Sequence, residues 1–113
     1  MEEGMILPLG TVVLLKSNET IKVMIVSRCY TITLDGEKYY FEYAGCPLPK
    51  GIVGNALANF NTEDIKEVLY QGFIDDAEIK EQQVIKEWLS KTDAKKANSQ
   101  LISAILLEKT KKE

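Results

Sequence analysis

With 113 residues, 45% of them hydrophobic, the chain has room for one domain around one core, and 27% charged residues exclude a disordered polyelectrolyte. The formal charge of −3 is unevenly spread: residues 1–90 hold eight basic and fourteen acidic side chains, a net of −6, and residues 91–113 hold six lysines against three acids, a net of +3. There is no histidine, which removes the commonest general base and the commonest metal ligand, and two cysteines alone cannot complete an ordinary four-ligand zinc site.

An acidic body argues against a broad nucleic-acid surface, because phosphate binding needs a positive footprint. Cys29 and Cys46 are too few for a disulfide framework and read as two reduced thiols. The opening Met1-Glu2-Glu3 is acidic, which predicts no cleavable leader. The apolar runs Val12–Leu15 and Ala104–Leu107 fall far short of the ~20 residues of a spanning helix. These features predict a cytoplasmic protein with no membrane segment and no cofactor.

In chain order, Gly4 to Gly10 is a lead-in broken by Pro8 and Gly10. Thr11 to Lys16 predicts a strand and Ser17 to Thr20 a polar turn. Ile21 to Arg28 and Cys29 to Leu34 predict two further strands, the latter rich in β-formers. Asp35-Gly36 suits a type I′ hairpin, from which Lys38 to Tyr43 returns as a fourth strand. Ala44 to Gly54 predicts an extended, stiff loop around Pro47 and Pro49. Ala56 to Phe60 is ambiguous, and Asn61 or Thr62 caps a short turn. Glu67 to Phe73 predicts a fifth strand. Asp75 opens a helix with Glu78 three residues on, as in a capping box. Ile79, Gln82, Ile85, Trp88 and Leu89 form a stripe at helical spacing. After a weak break at Ser90 to Ala94, Lys95 to Lys109 predicts a last helix, with Leu101 and Ile105 on one side, Ile102 and Leu106 beside them, and lysines at its C-terminal end.

Thr11, Val13 and Leu15 share one strand face, as do Ile21, Val23 and Ile25, yet Val12, Leu14, Met24 and Val26 make the opposite faces apolar too. A half-exposed sheet would alternate cleanly. The pattern predicts an α+β fold: a small antiparallel five-stranded sheet, SH3-like or a half-open barrel, partly covered by one or two C-terminal helices. Residues 1–90 would form the barrel-like domain with its packed helix, and residues 91–113 an amphipathic helix with a basic end.

Catalytic chemistry finds little footing. Glu63, Asp64 and Glu67, and again Asp75, Asp76, Glu78 and Glu81, sit at helix starts, where capping and the dipole favour acids. Lys50-Gly51-Ile52-Val53-Gly54 contains G-x-x-G, but Pro47 and Pro49 remove the helix that a nucleic-acid clamp needs before it. Neither thiol has a histidine to activate it, and Arg28, beside Cys29, points the other way on a strand. Tyr39, Phe41 and Tyr43 line one strand face and read first as core, then as a peptide- or base-stacking face. The stripes of Ile85 and Trp88 and of Leu101 and Ile105 pack on the sheet or on a helical partner.

Ile6-Leu7-Pro8-Leu9-Gly10-Thr11-Val12-Val13-Leu14-Leu15-Lys16 resembles the opening of a small uncharacterised family of Firmicutes proteins. Lys22 to Arg28, Asp35-Gly36, Tyr39 to Gly45, Pro49-Lys50-Gly51, Phe60 to Ile65 and Tyr70 to Phe73 follow the same order, so the resemblance runs over roughly residues 6–90. It departs at Ser27, where a glycine is expected, and at Thr62, where a histidine is frequent. Many such proteins are encoded beside type VII (ESX) secretion and LXG-type toxin genes. The resemblance implies a non-enzymatic accessory protein, an adaptor or chaperone for a helical secreted toxin or a small helical secretion protein. Ile85, Trp88, Leu101 and Ile105 are the expected contacts, with Pro47 and Pro49 second. An immunity protein using the acidic body and rigid loop is the alternative, a peptide- or nucleic-acid-binding barrel the next. Self-association through the same helical stripes is a further expectation.

Overall fold

The computed structural model describes residues 6–54, 56–98, 100–102, 104, 105 and 107. Six strands form one open sheet: β1 Val12–Leu15, β2 Asn18–Leu34, β3 Glu37–Leu48, β4 Ala58–Phe60, β5 Ile65–Tyr70 and β6 Lys95–Lys96. Their order is β4-β3-β2-β1-β5, all antiparallel, with β6 added in parallel to the free edge of β3. A 3-10 turn, Thr62–Asp64, precedes β5, and helix α1, Asp76–Lys91, follows it. The fold is α+β, and its sheet does not close into a barrel.

The long β2–β3 hairpin is its backbone. Asp35 and Gly36 take φ of 51° and 79°, the paired left-handed residues that a type I′ turn requires. The two strands expected at Ile21–Arg28 and Cys29–Leu34 are one strand, bent rather than broken. Val26 is bulged out of the register with β3, and Cys29 has φ of 54°. Both irregularities sharpen the twist there.

β3 also runs further than expected, through Ala44 to Leu48. Pro47 lies inside it, opposite Val23, and its carbonyl accepts the Gly51 N–H at 2.7 Å. Pro47 thus turns its backbone away from β2, and its missing N–H leaves the ladder intact. Gly45 fits a tight crossing: a Cβ there would lie 2.6 Å from Val23 Cγ1 and 2.7 Å from the Met24 carbonyl oxygen.

Two buried clusters result. Leu7, Val13, Val23, Ile25, Tyr43 and Phe60 form the first, on the faces that alternation assigns to the interior. Tyr39, Phe41 and Ala97 form the second, joined by Ile32, Leu34, Ile102 and Ile105. Tyr39, Phe41 and Tyr43, the three aromatic residues on one face of β3, are therefore core, which removes them as a stacking face, while Tyr40 lies on the other face and is half-buried.

The chain after α1 departs from the expected helix. Lys95 and Lys96 extend the sheet at Tyr39 and Tyr40. Among the described residues, helical backbone is present from residue 100, and the Asn98 side chain accepts the Leu101 N–H at 2.7 Å. Leu106 and the basic end at Lys109, Lys111 and Lys112 lie outside the described residues. The turn after β1 is Lys16-Ser17, shorter than expected, and β5 starts earlier, at Ile65.

Candidate functional site

Helix α1 lies across one face of the distal hairpin. Asp75 caps it, accepting the Glu78 N–H at 2.9 Å. The Glu78 carboxylate, expected to reach back to the cap, instead takes Arg28 in a two-pronged pair at 2.5 and 2.8 Å. Gln82 donates to the same carboxylate at 3.0 Å. These hydrogen bonds, Arg28's first, hold the Glu78 carboxyl below its ordinary pKa against the opposing effect of burial. Glu78 thus occupies the inward position that the stripe assigned to Ile79, which is exposed.

One turn further, Gln82, Ile85, Trp88 and Leu89 face the sheet but remain half-buried, and no residue of α1 is fully buried. Trp88 meets Tyr40 edge-on, ring centroids 5.6 Å apart. Cys29 and Thr31 of β2 with Val84, Ile85 and Trp88 of α1 line a shallow apolar groove of about 260 Å³. On the other side of Trp88, a second groove of about 420 Å³ runs between Val84, Glu87, Lys91 and Thr92. Val84, 58% exposed, stands between the two.

The expected contact residues fall in different places. Ile85 and Trp88 come together in the groove. Ile105 packs on Tyr39 and Phe41 from the opposite face, and Leu101 is exposed near it in the sequence. Pro47 is in β3, and Pro49 follows a cis peptide bond in the turn that leads to the exposed Ile52 and Val53.

A second constellation closes the outer edge of β3. Asn61, fully buried at 0% exposure, accepts the Glu42 N–H at 3.0 Å and donates to the Ala97 carbonyl at 2.6 Å. Ala97 N–H donates to the Tyr40 carbonyl at 2.8 Å. Lys96 lies 3.3 Å from Glu42 and 3.0 Å from Glu63, and Lys95 lies 3.2 Å from Glu37. Burial opposes the charge on Lys96, but Glu63 and Glu42 outweigh it and raise its pKa. Burial likewise opposes the charge on Glu63, yet its backbone N–H, Lys96 and Lys16 hold its pKa down. Asn61 was legible as a cap but not as this bridge. Arg28, the sole arginine, was the stronger overlooked signal: a lone guanidinium in an apolar strand calls for a carboxylate partner.

Other residues have structural partners. Asp64 accepts the Asn61 N–H at 2.8 Å. Among the described residues, no three Cys, Asp or Glu side chains are grouped to hold a metal ion. The Cys29 thiol is pushed above its ordinary pKa by burial and by Glu42, with Arg28 only partly offsetting them. A raised thiol pKa is the reverse of nucleophile activation. No helix among the described residues is long and apolar enough to cross a membrane.

No curated protein and no solved structure matches the chain. A family model does match, over residues 6–80, a span that takes in the whole sheet except β6 and both members of the Arg28–Glu78 pair. The chain belongs to the family described as Domain of unknown function (DUF4176).

Proposed function

We propose that the chain is a non-enzymatic accessory protein of a type VII secretion or toxin locus, which holds a helical secreted protein, or its small helical partner, in the cytoplasm as adaptor or chaperone. A half-open, SH3-like sheet serves as the frame, and the groove at Trp88 is the contact surface. The observation that carries this is the incomplete burial of α1. The Arg28–Glu78 pair pins the helix at one end, while Val84, Ile85 and Trp88 stay partly open beside β2. An amphipathic helix laid along this groove would cover them in the helix-in-groove mode. The secretion context comes from the resemblance of residues 6–90 and supplies the partner class.

The test is titration of the full chain with purified neighbour-encoded secreted proteins, comparing wild type with Val84→Asp and Trp88→Ala. Each variant is expected to weaken binding at least tenfold, as central apolar contacts do, while circular dichroism shows the sheet intact. Equal affinity in both variants, or no binding by wild type, would overturn the proposal.

A further inference from the structure

We propose that the outer edge of β3, from Glu37 to Glu42 with Asn61 and Glu63, is an acceptor site for an extended peptide carrying two lysines followed by a small residue, and that residues 95–97 are its built-in, displaceable ligand. This surface is separate from the groove at Trp88 and does not depend on that reading.

The site reads an incoming strand at three levels. At the backbone, the Tyr40 carbonyl takes the N–H of the third residue, and the Asn61 amide takes its carbonyl. Asn61 spends its other end on the Glu42 N–H, so the reader is held in place by the sheet. At the charged positions, Glu37 meets the first lysine, and Glu42 and Glu63 share the second. At the third position, Ala97 is 1% exposed against Tyr39 and Phe41, which leaves no room for a large side chain. Addition of a strand to a free sheet edge, with side-chain pockets for specificity, is an established recognition mode.

Three observations make the occupant exchangeable. First, β6 is only two residues long, and both lysines are exposed. Second, two of its three ion pairs, Lys95–Glu37 and Lys96–Glu63, are solvent-exposed, and such pairs contribute little each; only the Lys96–Glu42 pair is half-buried. Third, every residue of the acceptor lies within residues 6–80, the span that matches the family, whereas the occupant at 95–97 lies beyond it. As an intramolecular ligand, β6 competes at a high effective concentration, so a partner's segment must bind correspondingly better or arrive on a protein already docked.

The experiment uses the full chain carrying Ala97→Asp, which places a carboxylate in the closed third position and expels the tail. The probe is a synthetic peptide of residues 92–102, read by the fluorescence of Trp88, whose ring rests on Tyr40, and by amide exchange at Glu42. The peptide should bind the variant, slow Glu42 exchange, lose affinity as salt rises, and bind wild type at least tenfold more weakly. The same peptide with both lysines changed to glutamate should lose at least tenfold in affinity. Equal binding of the glutamate peptide, or no binding to a variant whose Ile25 amide stays protected, overturns the proposal. Should Ala97→Asp unfold the chain, Lys95→Glu with Lys96→Glu frees the edge without burying a charge and is judged by the same readings.

Discussion

The Arg28 guanidinium grips both oxygens of Glu78, at 2.5 and 2.8 Å, with 7% and 11% of the two side chains exposed. Each charge is tolerable only because the other is there. Removing one by Glu78→Gln should cost about 3 kcal/mol, while Arg28→Met with Glu78→Leu together should cost less than either single change. Urea unfolding of Glu78→Gln, Arg28→Met and the double variant measures this.

The same pair sets an acid response. Arg28 depresses the Glu78 carboxyl in the folded state, so the unfolded chain takes up that proton first as pH falls. Its contribution is complete above the ordinary carboxylate range and is lost as pH falls through the depressed value. Wild type should therefore lose more stability on acidification than Glu78→Gln. Parallel stability curves for the two would remove Glu78 from the account.

Asn61→Ala would leave the Glu42 N–H and the Ala97 carbonyl without partners. Buried groups stranded in this way cost roughly 1–3 kcal/mol each. The prediction is local as well as global: amide exchange should accelerate at Glu42 and Ala97 before it does at Val13 or Ile25.

Gly72 is hemmed by the lead-in. A Cβ there would sit 2.1 Å from the Leu9 carbonyl oxygen, where the Gly72 N–H also reaches Thr11 Oγ1 at 3.0 Å. Gly72→Ala should cost about 3 kcal/mol, near the upper end of ordinary single changes. Gly36→Ala is the control: its φ is 79°, but nothing lies within 4 Å, so only the backbone penalty of roughly 1 kcal/mol applies. Thermal melts should rank the two in that order.

Cys29 should alkylate more slowly than a free cysteine at the same pH, because burial and Glu42 both disfavour its thiolate. Glu42→Gln should speed the reaction. Cys46, buried in the core, should not react until the chain unfolds.

Local chemistry was legible in the sequence wherever the residue's own conformation decided the outcome. Asp35-Gly36 turned as its left-handed preference demands, Asp75 capped α1, and Val13, Val23 and Ile25 went inside by alternation. What escaped notice depended on an edge that only the folded sheet possesses. Lys95 and Lys96 have helical propensity, but the unpaired backbone of Tyr39 and Tyr40 outweighs it and makes them a strand. Pro47 looked like a breaker because its tolerance rests on facing away from β2. The groove at Trp88 was half legible: the stripe named Ile85 and Trp88, but Cys29 and Thr31 join them only because β2 passes beneath.

Gly45 has an evolutionary consequence. Its missing Cβ lets Val23 and the Met24 carbonyl come in against β3 where β2, β3 and β4 meet. No compensating change elsewhere can make room, because one of the two obstacles is main chain. A distant member of this domain is therefore expected to keep a glycine two residues after its last buried β3 aromatic even where surface and core positions differ, and a relative folded this way with another residue there would contradict the argument.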